Sequence, residues 1–166
     1  MPKKSKISAI DFHFGISEII SSTQEAYHEE FDSTVRKVEK EQLTQFKKIL
    51  GQVLDERLKN NEQFPSDREV FVFIIQYFAS EKEYAHRDID NMAKTILDVL
   101  KDRFYRDDSQ VKTLLIGKKM EQRIPQNFAY VAIQLLVPGR DADALKISGI
   151  ERSVTLFQEL KSKGIV

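Results

Sequence analysis

The chain has 166 residues and contains neither cysteine nor tryptophan. The absence of cysteine excludes disulfide bonds, zinc sites of the finger type and cysteine nucleophiles, and it fits a reducing compartment. Internal repeats and low-complexity segments are absent too, so the organisation of the chain is read from its hydrophobic periodicity.

The chain also lacks a net charge, since 26 Lys and Arg residues balance 26 Asp and Glu residues. A protein that attracts nucleic acid through its overall electrostatic field is usually strongly basic. Any surface that contacts DNA must therefore be a local basic patch.

Long apolar segments are missing as well. The longest apolar run, Val70–Ile75, has six residues, whereas a membrane-spanning helix needs about 20. Residues 1–6 are basic like the start of a signal peptide, but Asp11, His13 and Glu18 interrupt the apolar stretch that should follow. We therefore expect a soluble, cytoplasmic protein with no membrane partner.

The composition that remains is enough for one domain. Hydrophobic residues make up 41% of the chain, aromatic residues 10% and charged residues 31%, which is typical of a globular domain with a substantial core. Pro138 and Gly139 are expected to end its compact part. We therefore expect a main domain over 1–140 and a C-terminal helical extension of the same domain over 141–166.

Hydrophobic periodicity predicts seven elements in the order β-α-β-α-β-β-α. The strands are predicted at 7–14, 69–79, 110–119 and 128–137, and the helices at 32–59, 89–104 and 150–163, with Asp88 or Asp90 as the N-cap of the second helix. The segment 69–79 is the richest in β-branched and aromatic residues, so it is expected at the centre of the sheet. Residues 80–87 are expected to form a charged loop, and the first strand is expected to stop near Gly15. This order predicts an α+β fold with a single layer of helices on a mixed β-sheet.

Two aspartates stand where the central strand gives way to the second helix. Asp88 and Asp90 are two residues apart at a point where the chain is not yet helical, so both carboxylates can converge in front of the helix. Lys94 and Asp98 follow Asp90 at intervals of four residues and continue one polar face of that helix.

A second acidic pair, Asp107 and Asp108, is predicted in the turn after that helix. If the next strand returns to the sheet, the chain doubles back, and we expect this pair to approach Asp88 and Asp90. Three or four adjoining carboxylates repel one another unless a hard cation such as Mg²⁺ neutralises them. With Lys94 beside them to steady a phosphate, they suit metal-assisted phosphodiester hydrolysis.

Each of these residues also has an ordinary structural interpretation. An aspartate at a helix start usually caps the helix, an Asp-Lys pair four residues apart is usually a surface ion pair, and two adjacent aspartates usually form a turn. Taken separately, these interpretations are the more common ones and describe a plain structural domain. Phe104 and Tyr105 likewise fit core packing better than stacking on an opened base.

The combined motif is more specific than its parts. Residues 88–98 read D-x-D-N-x-x-K-x-x-x-D, and D-D-x-Q-V follows at 107–111. This string resembles the signature of the RusA family of Holliday-junction resolvases, endonucleases common in bacteria and their prophages. The resemblance covers a motif core at 69–137, and the helix at 32–59 fits the family's long helix. It implies a RusA-like nuclease domain over 1–140.

The resemblance implies roles for individual residues. The implied catalytic residues are Asp88, Asp90, Lys94 and Asp108. The three aspartates among them are the implied metal ligands. The positions that match supporting residues of the motif are Asn91, Asp98, Asp107 and Gln110.

The resemblance also implies a symmetric homodimer that binds branched DNA, namely a four-way junction. With Mg²⁺, or with Mn²⁺ as a substitute, such a dimer cuts two opposed strands and leaves 5′-phosphate and 3′-hydroxyl nicks that a ligase can seal. No organic cofactor is implied.

Contact with DNA requires positive charge near the carboxylates. The candidates are Arg87, Arg103, Arg106, Lys112, Lys118 and Lys119. A lysine pair such as Lys118 and Lys119 at a strand end is, however, more often a solvated sheet edge.

Two other functions stay open. The first is a nuclease of the same fold that acts on forks, flaps or other branched DNA, and only substrate tests separate it from a junction resolvase. The second is a non-catalytic DNA-binding accessory protein of recombination, which the neutral charge and an N-terminal region unlike the family's both permit. The combination of Asp88, Asp90, Lys94 and Asp108 argues against the second, because binding alone needs none of them.

Overall fold

A computed structural model of the chain describes residues 10–16, 19, 33–123, 125–137 and 150–165. The chain forms two compact units, residues 1–135 and residues 136–166. The sheet belongs to the first unit and the C-terminal helix to the second. Part of the first predicted strand, residues 7–9, lies outside the described residues.

The elements follow the predicted order with one addition. The first unit contains β1 (Phe12–Ile16), α1 (Ser33–Leu58), β2 (Val70–Phe78), α2 (Glu81–His86), α3 (Ile89–Leu100), β3 (Val111–Met120) and β4 (Phe128–Leu135). A 3₁₀ turn, Asp108–Gln110, precedes β3, and α4 (Ile150–Ser162) lies in the second unit. The α+β class and the mixed sheet with its layer of helices are confirmed.

The added element is α2, which occupies the segment predicted as a loop. Its sequence, EKEYAH, places two glutamates in the first turn and a histidine in the last, and this arrangement favours a helix through its dipole. None of its residues is buried. Because periodicity detects a helix by its buried face, this short helix gave no such signal.

The sheet has the strand order β1-β4-β2-β3, in which β2 and β3 run parallel while β4 is antiparallel to both of its neighbours. The segment predicted as the central strand, β2, is therefore an interior strand. Its side chains alternate between buried and half-buried positions, because one face of the sheet carries the helices.

Gly15 pairs with Tyr130 of β4, and β1 ends one residue later at Ile16, so the prediction that the strand ends near Gly15 is confirmed. A Cβ atom at this position would lie 2.5 Å from the ring of Phe128. A larger residue here would have to displace the ring of half-buried Phe128, which packs against the glycine.

The hydrophobic core joins the buried face of the sheet to α1 and α3. It includes Val70, Val72, Ile74 and Phe78 of β2, Met92, Ile96 and Leu100 of α3, and Leu50 and Leu54 of α1. Phe104 and Tyr105, which follow α3, are completely buried. Their interpretation as core residues is therefore confirmed.

The connection from β2 to β3 sets the positions of the predicted site residues. Because β2 and β3 are parallel, α3 runs back from the carboxyl ends of these strands toward their amino ends. Its 12 residues span about 18 Å at about 1.5 Å per residue. The first turn of α3 and the turn before β3 therefore lie at opposite ends of the two strands.

The helices of the described segments are all too short or too polar to cross a membrane. In the second unit, α4 exposes about half of the surface of Val154, Leu156 and Phe157.

Candidate active site

The first turn of α3 presents two carboxylates. Asp88 occupies the N-cap position with an extended backbone, but its side chain makes no capping hydrogen bond. Asp90 lies in the first turn, and both residues are exposed. The capping interpretation therefore fails at Asp88, and both carboxylates are open to a ligand.

Farther along the polar face of α3, Asp98 forms an ion pair, whereas Lys94 forms none with a described residue. The ammonium group of Lys47 on α1 lies 2.8 Å from the carboxylate of Asp98, so Asp98 ties the two helices together. Lys94 is exposed and forms no ion pair with Asp90 among the described residues. The i,i+4 ion pair that would be the ordinary interpretation of these two residues is thus absent, and Asn91 lies half-buried beside them.

The turn before β3 is built around Gln110. Its amide donates hydrogen bonds to the carbonyl oxygens of Ser66 (2.7 Å) and Arg68 (2.8 Å), and its Oε1 accepts from the backbone N–H groups of Arg106 and Asp107. With every hydrogen-bonding direction of the amide used in this way, Gln110 holds the turn against the segment that leads into β2.

The two aspartates of this turn have different environments. Asp107 caps the turn by accepting a hydrogen bond from the Ser109 N–H at 2.9 Å, and hydrogen bonds from Ser109 lower the pKa of its carboxyl. The side chain of Asp108 is 68% exposed and lies 3.6 Å from the ammonium group of Lys101. Asp107 is thus a structural residue, whereas Asp108 points a carboxylate outward.

Asp108 lies beside the last turn of α3, close enough to Tyr105 to affect the pKa of its hydroxyl group. The Tyr105 hydroxyl donates a hydrogen bond to the Leu97 carbonyl oxygen at 3.2 Å. Burial, and then the carboxylates of Asp108 and Asp98, raise the pKa of Tyr105. Asp108 therefore lies near the end of the helix opposite to Asp88 and Asp90.

The expected approach of Asp107 and Asp108 to Asp88 and Asp90 does not occur within one chain. Across the part of the chain that the structure describes, no three His, Asp or Glu side chains come together in a way that could hold a metal ion. The helix between the two acidic pairs is the reason, because it carries the chain away from the first pair before the turn is made. A single chain therefore does not fit a magnesium site with all three aspartates.

Most of the basic candidates are already engaged. Arg106 pairs with Asp67 at 2.6 Å and Lys112 with Glu69 at 3.6 Å. Lys118 donates to backbone carbonyl groups, and Arg87 is half-buried. Lys119 is exposed, and its side chain makes no hydrogen bond to another described residue.

The side chain of Arg103 is held by contacts with α1 and with the end of α3. Its guanidinium crosses α1 at Gly51, where a Cβ atom would lie 2.5 Å from a guanidinium nitrogen. It donates to both carboxylate oxygens of Asp55 (2.9 and 3.3 Å) and to the Val99 carbonyl (3.0 Å). Arg103 therefore joins α1 to the end of α3.

We predict that Arg103→Met lowers stability and leaves DNA affinity unchanged. Losing a bidentate, partly buried ion pair should reduce the free energy of unfolding by about 1–2 kcal/mol. Urea unfolding measures this loss, and binding of a labelled junction over a salt series measures the affinity. A salt dependence reduced by about one phosphate contact would instead make Arg103 a DNA ligand.

A protein-family model described as endodeoxyribonuclease RusA matches residues 18–133, which is more than two thirds of the 166 residues. The chain belongs to the RusA family. The match contains the whole motif from Asp88 to Val111, and so confirms the resemblance seen in the sequence. The chain matches no curated protein.

Membership of the RusA family makes the chain an endodeoxyribonuclease of a kind that acts on Holliday junctions. The aspartates and the lysine of the motif are all present and exposed. The sequence did not predict the contacts that hold the segment before Asp88 and the turn that carries Asp108. Gln110, Arg103 and Lys118 make these contacts with residues that lie 31 to 48 positions away in the sequence.

Proposed function

We propose that the chain resolves four-way DNA junctions as a magnesium-dependent homodimer and leaves 5′-phosphate and 3′-hydroxyl nicks. The observation that carries the proposal is the first turn of α3 in a member of the RusA family. There Asp88, Asp90 and Lys94 are exposed and form no ion pair with one another.

The charges of this turn suit phosphodiester chemistry. Two carboxylates so close in sequence repel each other, and the repulsion is relieved when a cation binds between them. Bound magnesium supplies Lewis-acid chemistry for phosphate hydrolysis. The ammonium group of Lys94, one helical turn from Asp90, is placed to stabilise negative charge that develops on the phosphoryl oxygens.

A second copy of the chain supplies the carboxylate that the first copy lacks at this turn. In a dimer with two-fold symmetry, two α3 helices that run antiparallel place the first turn of each beside the last turn of the other. Asp108 of one chain then approaches Asp88 and Asp90 of its partner. The homodimer is thus the arrangement in which all three aspartates meet, and it contains two equivalent sites for two opposed strands.

The test is cleavage of a labelled synthetic four-way junction in Mg²⁺, beside linear duplex, fork and flap substrates. We expect paired, ligatable nicks in opposed junction strands, and their loss in EDTA. Asp90→Asn should lower the single-turnover rate by at least about 100-fold, because it removes a proposed metal ligand. Asp102→Asn is the matched control, since this exposed aspartate has φ +66°, a conformation that asparagine also adopts.

Other outcomes identify the alternatives. Equal or faster cutting of forks or flaps would indicate a nuclease for other branched DNA. Binding of the junction without cutting in either Mg²⁺ or Mn²⁺ would indicate an accessory protein, and Asp90→Asn would then match the wild type in every assay.

A further inference from the structure

Lys118 of β3 makes an unusual set of contacts for a lysine on an edge strand. Its ammonium group donates to the Tyr84 carbonyl oxygen at 2.6 Å and to the Arg87 carbonyl oxygen at 3.0 Å. It also lies 4.5 Å from the centre of the Tyr84 ring. The side chain is half-buried, and the ring of Tyr84 packs edge-on against buried Phe78.

The contact with Tyr84 satisfies a carbonyl group at a helix end. The last carbonyl groups of a helix have no hydrogen-bond donor within the helix, and Tyr84 lies in the last turn of α2. A cation at this end also interacts favourably with the helix dipole. Lys118 therefore fastens the end of α2 to the sheet.

The second acceptor connects Lys118 to the proposed active site. The Arg87 carbonyl belongs to the same rigid peptide unit as the Asp88 N–H, so its orientation sets the position of the Asp88 Cα atom. On the other side, the Met92 N–H donates to the Asp88 carbonyl oxygen at 3.3 Å. The backbone of Asp88 is thus held on both sides, while its side chain makes no capping hydrogen bond.

We propose that Lys118 is a positioning residue that orients Asp88 for catalysis rather than a ligand of DNA phosphate. The proposal rests on the proposed function of Asp88 as a metal-binding catalytic residue. Two of the three ammonium hydrogens of Lys118 are directed to carbonyl oxygens, and the third side of the group faces the Tyr84 ring. A phosphate contact would require these interactions to break.

The experiment compares Lys118→Met with Lys119→Met. Methionine keeps the unbranched apolar stem of the side chain and removes the ammonium group. The neighbouring Lys119 is exposed, and its side chain makes no hydrogen bond to another described residue, so it is the matched control. Three quantities are measured: hydrogen exchange of residues 84–92 without DNA, junction affinity in Ca²⁺ over a salt series, and the single-turnover cleavage rate at saturating junction.

For Lys118→Met we expect about tenfold faster exchange in residues 84–92, with the other segments unchanged. We expect the cleavage rate to fall by about 10–100-fold, because small displacements of a reacting group are costly. Junction affinity and its salt dependence should stay within about twofold of the wild type. Lys119→Met should leave the exchange of residues 84–92 at the wild-type rate, and Lys118→Arg should recover part of both the protection and the cleavage rate.

Two results would overturn the proposal. One is unchanged exchange in residues 84–92, which would show that Lys118 anchors nothing. The other is a wild-type cleavage rate at saturation with weaker binding and a shallower salt dependence, which would make Lys118 a phosphate ligand. If the wild-type chain cuts no branched DNA at all, the proposed function fails, while the exchange measurement still decides whether Lys118 holds the Asp88 segment.

Discussion

An equimolar mixture of Asp90→Asn and Asp108→Asn chains, each inactive by itself, is expected to regain junction cleavage after the two are refolded together. In a mixed dimer, one site combines the intact Asp88 and Asp90 of one chain with the intact Asp108 of the other. The second site then carries both substitutions. Random mixing should therefore recover about a quarter of the wild-type sites, and each mixed dimer should nick one strand instead of two opposed strands.

This experiment has a control with the same chemistry. A mixture of Asp88→Asn and Asp90→Asn chains contains no intact site, because both substitutions fall on the same side of the shared site. This mixture should remain inactive whether the three aspartates meet between two chains or within one chain. If the Asp90→Asn and Asp108→Asn mixture also remains inactive while mixed dimers are present, the three aspartates do not meet between two chains.

Gln110→Glu is expected to reduce both the stability of the fold and the rate of cleavage. The side-chain nitrogen of Gln110 faces the carbonyl oxygens of Ser66 and Arg68 at 2.7 and 2.8 Å. Replacing it with a carboxylate oxygen removes two hydrogen bonds and places acceptors against acceptors, which should lower the free energy of unfolding by about 2–4 kcal/mol near pH 7. Urea unfolding measures this loss, and cleavage at saturating junction reports the displacement of Asp108.

The pH dependence of this variant follows from the same contacts. The two carbonyl oxygens favour the protonated form of the introduced carboxyl group, so its pKa in the folded state should lie above the value in the unfolded state. The destabilisation should therefore be smaller below the ordinary glutamate pKa of about 4.3, and grow as the pH rises. Gln63→Glu, at an exposed loop position, is the control and should change stability by less than about 0.5 kcal/mol. Equal stability of the two variants would mean that the Gln110 contacts contribute nothing.

Much of the fold was predictable because its signals are local. The segment at β2 is rich in β-branched and aromatic residues, and the apolar residues of α3 repeat at the helical period along one face. The proximity of Asp88, Asp90 and Lys94 was predictable for the same reason. Asp88 and Asp90 lie at the start of α3, and Lys94 follows Asp90 by about one helical turn. The helix α2 was not predicted, because none of its residues is buried and it therefore has no hydrophobic periodicity.

The roles of the basic residues were less predictable, because they depend on partners far away in sequence. Arg103 pairs with Asp55, which lies 48 positions earlier in the sequence, and its guanidinium packs against Gly51 of α1. Lys118 reaches the carbonyl groups before Asp88 only because β3 lies parallel to β2 and next to it. From the sequence alone, Arg103 and Lys118, whose charges make structural contacts, could not be distinguished from Lys119, which is exposed.

The sequence by itself determined the family, the α+β class and the residues that could carry the chemistry, because the motif and the hydrophobic periods are properties of neighbouring residues. Only the tertiary structure decided where the carboxylates lie. The parallel connection through α3 separates Asp88 and Asp90 from Asp108 by the length of a helix, and the direction of a connection is set by strand pairing across the whole sheet.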